Sequence, residues 1–175
     1  NNNNQVVTLV SIRLSKSKED DVMDRALELT RRLVRLATSD SDSDDDTCTC
    51  PSFRVVCSSD WVDVALQAGA HGIHVKEAHL SSIPDIREQF AANSSSTTPS
   101  SSTPSASFVI GTSTHSVESA LESFAIYRPD YYFVGTCFLT ASHPEKAAQD
   151  LEGPTLPGRV RRALHRLAES SSTTS

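Results

Sequence analysis

The sequence contains no apolar run that approaches the roughly 18 residues of a membrane-spanning helix, so none of its 175 residues is predicted to cross a bilayer. It has no basic stripe and a formal net charge of −6, which argues against nucleic acid as a partner. No positively charged, then apolar, then small-residue segment opens the chain, so no secretory signal is predicted. We therefore expect a soluble intracellular protein that binds neither membrane nor nucleic acid. The compartment, cytoplasm or plastid, is left open.

Three common patterns of metal or disulfide sites are also missing. Cys48 and Cys50 lie in a polar segment, whereas Cys57 and Cys137 lie in or beside apolar runs, so the four cysteines do not form a disulfide framework. One residue between Cys48 and Cys50 is shorter than the usual spacing of zinc ligands. The acidic segment 40–46 lacks the glycine and the final glutamate of a calcium-binding EF-hand loop. Unpaired thiols and an acidic surface insertion are expected instead.

The composition is that of one globular domain diluted by polar segments. Hydrophobic residues make up 37% of the chain, which is enough for one core. Residues 38–52 are rich in Asp and Ser, and residues 91–106 are rich in Ser, Thr and Pro. These compositions predict low-complexity insertions in a single domain over residues 1–175, followed by a disordered tail at 170–175.

Strand and helix patterns alternate along the rest of the chain. The predicted strands are residues 6–14, 53–57, 72–75, 108–110 and 131–134. The predicted helices are residues 18–37, 61–68, 80–90 and 154–167, with one more beginning after Ser116. Strand–helix units joined by short crossovers indicate a parallel α/β architecture. Periodicity leaves open whether the units form a doubly wound open sheet or part of an eight-unit barrel.

The segment 108–121 carries the first candidate site. Its apolar run ends at Gly111, after which small hydroxyl residues and His115 predict a polar turn. Ser116 and Ser119 have the spacing of a helix N-cap and its third helical residue. Turns of this kind place side chains at the carboxyl edge of a sheet, where α/β proteins bind ligands. His115 is therefore either a functional group or a residue that hydrogen-bonds the turn.

Five segments resemble, in order, motifs of the thiamine phosphate synthases and the related TenI proteins. Residues 60–74 resemble their Asn-Asp-Arg-Val-Asp-Val-Ala-Leu and Ala-Gly-Ala-Asp-Gly-Val-His motifs. The other four are residues 10–13 (Val-Gln-Leu-Arg in the family), 111–116 (Gly-Val-Ser-Thr-His-Ser), 130–140 (Asp-Tyr-Val-Gly-x-Gly-x-x-Phe-x-Thr) and 151–153 (Leu-Glu-Gly of TenI). Each motif is weak alone, but the ordered set covers nearly all of the chain outside the insertions and tails.

The resemblance implies a TIM barrel. By this alignment the chain begins at the family's second strand and stops after its sixth helix, so the first, seventh and eighth strands and their Gly-rich phosphate loops have no counterpart. We therefore expect a partial barrel of five βα units, which is either a fragment of a longer product or a degenerate relative. The alternative is a five-stranded open parallel α/β sheet.

For the synthases, the resemblance implies a diphosphate and metal site. These enzymes join an aminopyrimidine diphosphate to a thiazole phosphate and release pyrophosphate, which requires Mg²⁺ and cationic side chains. Asp60 matches one metal ligand, but the second ligand, the Asp of Gly-Gln-Glu-Asp, falls on His79, a poor ligand for Mg²⁺. The implied substrate- and phosphate-binding residues are Arg13, Ser59, Ser113, Thr140 and Ser142. The Lys of the family's Thr-x-Thr-Lys loop falls on His143.

Two of these residues have purely structural alternatives. Arg13, near the end of a strand, has the alternative role of forming a surface ion pair. Asp60 precedes a predicted helix and has the alternative role of its N-cap.

For the TenI proteins, the resemblance implies proton transfer without a metal. They isomerise a thiazole carboxylate phosphate to its aromatic tautomer, and their proposed base is the His that matches His115. The substituted metal and Lys positions, with the retained Leu-Glu-Gly at 151–153, favour this branch. We predict a TenI-like tautomerase without a cofactor that binds a small phosphorylated thiazole. The alternatives are a Mg²⁺-dependent synthase that also binds a pyrimidine, and a non-catalytic domain; homo-oligomerisation is left open.

Overall fold

The predicted alternation of strands and helices is confirmed. The computed structural model describes residues 8–12, 20–38, 53–96, 108–138 and 151–172. Its strands are β1 (Thr8–Ile12), β2 (Phe53–Ser58), β3 (Gly72–Val75), β4 (Val109–Thr114) and β5 (Tyr131–Val134). Its α-helices are α1 (Asp20–Thr38), α2 (Val62–Ala68), α3 (Ile83–Ser96), α4 (Val117–Tyr127) and α5 (Leu156–Ser172). Two 3₁₀ segments, Ser59–Trp61 and Glu77–Ser82, follow β2 and β3.

The strands form a five-stranded sheet in the order β1-β2-β3-β4-β5. The pairs β1–β2, β2–β3 and β4–β5 are parallel. At the start of β4, the Val109 N–H donates to the carbonyl oxygen of His71 at 3.0 Å. Because sequence neighbours pair throughout, the sheet has no switch point of the doubly wound kind. The order is that of consecutive barrel units, and it agrees with a partial TIM barrel as well as with an open parallel sheet.

The chain divides into two compact units. The first comprises Asn1–Val75 and Ser82–Ile110, and the second comprises Lys76–Ser81 and Gly111–Ser175. The first unit therefore holds β1 to β3 with the start of β4, and the second holds the rest of β4 with β5. Within the described ranges, no helix has the length and the apolar character needed to cross a membrane.

The core of the first unit is built on β2. Val55, Val56 and Cys57 are consecutive and all inaccessible to solvent, as expected for a parallel strand covered on both faces. Thr30 of α1 is also buried, and its hydroxyl donates to the carbonyl oxygen of Ala26 at 2.7 Å. Burial raises the pKa of the Cys57 thiol to about 11, against a smaller opposing effect of the side-chain contact with Thr30. Cys57 and Cys137 are both free thiols, as predicted, whereas Cys48 and Cys50 lie outside the described residues.

His71 joins the turn before β3 to β2. Its backbone N–H donates to the Val55 carbonyl oxygen at 2.8 Å, and its ring Nδ1 accepts from the Val55 N–H at 3.0 Å. An acceptor nitrogen must be deprotonated, so this contact requires the neutral imidazole. Burial lowers the pKa of His71, and the positive charge of Arg54 lowers it further.

Acidification is expected to destabilise the first unit through His71. The ordinary imidazole pKa is 6.5, and the folded-state pKa lies below it. The stabilisation from neutral His71 is therefore fully present above about pH 6.5 and is lost as the pH falls through the folded-state pKa. Urea unfolding, followed by the fluorescence of the buried Trp61 in the same unit, should show a lower midpoint at about pH 5.5 than at about pH 7.5.

Two variants isolate this effect from other titrations. His71→Ala should cost about 1–3 kcal/mol near neutral pH, because the Val55 N–H loses its acceptor, and should flatten this part of the pH dependence. His165→Gln, at an exposed position on α5, should leave the drop unchanged. An equally steep pH dependence in His71→Ala would contradict the assignment.

The second unit has its own small core. Ala120 of α4 packs with Leu156 and Val160 of α5. Partly buried apolar side chains surround them: Val117, Tyr132, Val134, Cys137 and Leu164. The Tyr132 hydroxyl donates to the Ala120 carbonyl oxygen at 3.1 Å, so its polar end is satisfied inside this core. The spacing of Leu156, Val160 and Leu164 places them on one face of α5.

Several element boundaries differ from the sequence predictions, and three elements extend into segments that the sequence predicts to be irregular. β4 continues through Gly111 to Thr114, where the sequence predicts a polar turn. α3 extends to Ser96, into the insertion predicted from residue 91, and α5 extends to Ser172, into the tail predicted from residue 170. The β-branched residues Thr112 and Thr114 suit a strand and are fully buried there. Thr38, the first residue of the insertion predicted at 38–52, is the last residue of α1. The remaining residues of the three predicted segments, 39–52, 97–106 and 173–175, lie outside the described residues.

Candidate functional site

Four of the seven predicted site residues lie within the described parts of the chain. Ser59 and Asp60 belong to the first unit, and Ser113 and His115 belong to the second. The other three, Arg13, Thr140 and Ser142, lie outside the described residues, as does His143. Their roles stay predictions.

Asp60 follows the carboxyl end of β2 but does not cap the helix. The strand β2 runs one residue further than predicted, and a 3₁₀ turn, Ser59–Trp61, precedes α2. Ser58 is the N-cap of this 3₁₀ turn. The Ser58 hydroxyl oxygen accepts from the Asp60 N–H at 3.5 Å and donates to the Asp60 carboxylate at 3.3 Å. Trp61, at the N-cap of α2, makes no side-chain capping bond. The predicted capping role is therefore wrong, and the exposed carboxylate stays a candidate for ligand binding.

Ser59 lies beside it in the same 3₁₀ turn. Its hydroxyl oxygen is buried and has no hydrogen-bond partner within the described parts of the chain. A buried hydroxyl without a partner is unfavourable, so a water molecule or a ligand oxygen at this position would stabilise it. Ser59 therefore stays a candidate for binding a phosphate oxygen.

The described residues do not fit a Mg²⁺ site. Among them, no group of three or more His, Cys, Asp or Glu side chains is arranged to hold a metal ion. Asp60 offers one carboxylate, and the residue that takes the place of the second family ligand, His79, offers an imidazole. Mg²⁺ prefers oxygen ligands in near-octahedral geometry. Asp60 as a metal ligand stays a prediction.

His115 occupies the connection between β4 and α4. The next residue, Ser116, is the N-cap of α4, and its hydroxyl oxygen accepts from the Ser119 N–H at 3.0 Å, as the sequence predicts. Capping is therefore done by Ser116, and the imidazole of His115 is left for other contacts. Its side chain is 52% exposed, and Nδ1 lies 2.5 Å from Oε2 of Glu77.

Glu77 anchors a chain of hydrogen bonds in the second unit. Its Oε1 accepts from the Ser119 hydroxyl. The Ser119 hydroxyl oxygen lies 2.7 Å from that of Thr114. Since Ser119 has a single hydroxyl proton and gives it to Glu77, Thr114 must be the donor in that contact. The alternative acceptor for Thr114 is the carbonyl oxygen of Ser116, at 3.0 Å.

The carboxylate of Glu77 determines which tautomer the neutral imidazole of His115 adopts. An ionised carboxylate only accepts hydrogen bonds, so Nδ1 of His115 must carry the proton. Nε2 then has the lone pair, and within the described residues it makes no hydrogen bond. An exposed imidazole with a basic Nε2 is suited to take a proton from a bound molecule.

Ser113 lies two residues before His115 in β4. It is half-buried, whereas its neighbours Thr112 and Thr114 are fully buried. Since side chains alternate along a strand, Ser113 shares the face of Gly111. A Cβ at Gly111 would fall within the ring of Tyr131 on β5, so this face also carries an aromatic side chain.

The structure thus brings His115 together with Glu77, which the sequence analysis did not single out, and with Ser119, which it identified only as the third residue of a helix. A signal for Glu77 was present, because it lies two residues after the carboxyl end of β3. It also falls on the Gln of the family's Gly-Gln-Glu-Asp motif. Residues after the carboxyl ends of parallel strands are the ones that face ligands in α/β proteins.

A known protein family matches more than half of the sequence. The family described as thiamine monophosphate synthase (TMP-TENI) matches residues 55–156. The matched segment is more than half of the chain and includes Ser59, Asp60, Glu77 and His115. No individual curated protein matches the sequence significantly. Together with the order of the parallel strands, the match shows that the chain belongs to the thiamine monophosphate synthase family.

Proposed function

We propose that the chain is a TenI-like thiazole tautomerase with His115 as its general base. Membership of the family supports a role in thiamine biosynthesis. The observation that carries the reaction type is the imidazole of His115, which is half exposed and held through Nδ1 by Glu77. A reaction that only moves a proton requires a base of this kind and no metal.

The proposed tautomerisation needs no proton donor or acceptor other than the imidazole of His115. Nε2 of His115 takes a proton from a carbon of the thiazole carboxylate phosphate, and the electron pair of that C–H bond moves into the ring system. The imidazolium then returns the proton at another position, which leaves the ring aromatic and His115 neutral. No other bond is broken, so neither water nor a redox partner is consumed. Imidazole suits both steps because it exchanges protons near neutral pH.

Substrate binding is assigned to the hydroxyl and cationic residues predicted for the phosphate. Ser113 lies near the end of β4, two residues before His115. The buried hydroxyl of Ser59 has no hydrogen-bond partner within the described ranges. Arg13, Thr140 and Ser142 are further proposed phosphate-binding residues, and they lie outside the described ranges. Arg side chains and hydroxyl groups are common donors to phosphate oxygens, so this set suits a small phosphorylated thiazole.

The second candidate is a thiamine phosphate synthase. The observation that favours it is the exposed carboxylate of Asp60, directly after β2, at the family's metal-ligand position. The described donor set does not fit Mg²⁺, so no step through the metal is derived. This candidate predicts release of pyrophosphate from the aminopyrimidine diphosphate that depends on both Mg²⁺ and Asp60.

Two assays on the full chain separate these candidates. The first follows the absorbance of the aromatic thiazole carboxylate phosphate in the presence of EDTA, and the second follows pyrophosphate release with added Mg²⁺. We expect turnover in the first assay and none in the second. Turnover only in the second would replace the tautomerase with the synthase. Absence of both, with no heat on titration of either phosphate, would overturn the proposal in favour of a non-catalytic domain.

A further inference from the structure

We infer that Glu77 is a positioning residue that fixes the tautomer and the orientation of His115, and that Ser119 and Thr114 hold its carboxylate in place. The inference rests on the proposed function of His115. It adds to the site an acidic residue at a position where the family motif Gly-Gln-Glu-Asp carries Gln. Glu77 itself is assigned no contact with the substrate.

Both carboxylate oxygens of Glu77 are engaged by different donors. Oε2 faces Nδ1 of His115, and Oε1 accepts from the hydroxyl of Ser119. The side chain of Glu77 is 30% exposed, so water has limited access to the group. Rotation of the carboxylate would break at least one of these bonds, and the imidazole is therefore held in one direction.

The donor that holds Glu77 is itself fixed by the start of α4. The backbone N–H of Ser119 is bonded to the N-cap residue Ser116, so the Ser119 hydroxyl projects from a closed first helical turn. Thr114, which is fully buried at the end of β4, lies 2.7 Å from the Ser119 oxygen. A strand end and a capped helix start thus determine where the carboxylate can lie.

The charge on Glu77 matters as well as its position. A carboxylate accepts only, which selects the imidazole tautomer with the proton on Nδ1. A glutamine side chain of the same shape offers an oxygen that accepts and an NH₂ group that donates. It therefore allows the opposite tautomer, in which Nε2 carries the proton and cannot act as a base. Glu77→Gln removes the selection without removing the side chain.

The experiment measures the tautomer directly and activity separately. Long-range ¹H–¹⁵N correlation spectra of the His115 ring are recorded on the full chain, at a pH high enough that the ring shifts no longer change. We expect the Nδ1-protonated tautomer in the unmodified chain and a mixture, or the Nε2-protonated form, in Glu77→Gln. The variant should also lose about 10–100-fold in kcat, with KM changed by less than about twofold. Ser119→Ala should shift the tautomer less, because the charge remains.

Glu118→Gln is the matched control. Glu118 is exposed in the first turn of α4, so its substitution makes the same charge change close to the site. It should leave the His115 spectrum and kcat unchanged. Retention of the pure Nδ1-protonated form in a folded Glu77→Gln, or the same spectral change in Glu118→Gln, would overturn the inference. A tautomer shift in a protein without tautomerase activity would instead refute the proposed function and leave the positioning role supported.

Discussion

His115→Ala is expected to lower kcat for aromatisation of the thiazole carboxylate phosphate by about 10²–10⁴-fold, the usual contribution of a positioned general base. The loss should appear equally in kcat/KM, because the proton is transferred only in the transition state. Substrate affinity should change little, since phosphate binding is assigned to other residues. The measurement is the initial rate of absorbance change with EDTA present.

The variant should fold normally, so that the loss can be attributed to chemistry. The imidazole is half exposed and contributes nothing to the small core of Ala120, Leu156 and Val160. The cap of α4 is made by Ser116 and the Ser119 N–H, neither of which needs the ring. The free energy of unfolding should therefore stay within about 0.5 kcal/mol of the unmodified chain.

Three comparisons make the test specific to a proton-transfer role. His115→Asn keeps a polar side chain but has no basic nitrogen, so its loss should equal that of His115→Ala. Added imidazole should restore part of the activity of His115→Ala by replacing the missing base. His165→Ala removes an exposed histidine whose contact is Glu169, at 3.3 Å on the same helix, and should leave kcat unchanged. Full activity in His115→Ala would remove His115 from the mechanism.

The order of the elements was predictable because its signals are local. Apolar β-branched runs end at glycine or at hydroxyl residues, and β3 and β5 have the bounds that this pattern predicts. Ser116 was identifiable as a cap from its spacing to Ser119 alone. The order of the strands in the sheet required the family resemblance, since periodicity is the same in an open sheet and in a barrel.

The course of β4 was not predictable in the same way. Thr112 and Thr114 are polar, and with Gly111 before them they indicate a turn. In the structure both are fully buried, and the Thr114 hydroxyl is satisfied by the start of α4. Burial of a hydroxyl is favourable only where a partner exists, and that partner is supplied by packing. The residues of the strand alone therefore do not show that the Thr114 hydroxyl finds a partner when it is buried.

Glu77 shows the same limit at the candidate site. It lies 38 residues before His115 in the chain, and only the fold brings the two side chains together. Its sequence neighbours contain no motif for an acid–base pair. His115, in contrast, was found from the turn it occupies and from the matching family residue. A candidate base can thus be predicted from its local motif, whereas the group proposed to orient it follows only from tertiary structure.

Gly72→Ala is expected to destabilise the first unit by about 2–4 kcal/mol, the cost of severe overpacking in a core. Gly72 is buried at the start of β3, opposite Val56 of β2. A Cβ there would overlap the carbonyl oxygen of Val109 and approach its Cγ2 to 2.6 Å. That carbonyl cannot move aside cheaply, because the Val109 N–H is bonded to His71 in the preceding turn.

The same substitution at Gly158 should have the opposite sign. A Cβ at Gly158 of α5 meets nothing closer than the Arg162 guanidinium at 3.5 Å, and alanine is favoured over glycine within a helix by about 1 kcal/mol. Urea unfolding, followed by Trp61 fluorescence for Gly72→Ala and by far-UV circular dichroism for Gly158→Ala, measures both. Adding Val109→Ala should not rescue Gly72→Ala, because the obstacle is the backbone carbonyl. Rescue would show that the Val109 side chain is the obstacle. An unchanged urea midpoint in Gly72→Ala would contradict the close approach of Val109 to Gly72, which the 3.0 Å hydrogen bond from the Val109 N–H to the His71 carbonyl oxygen supports.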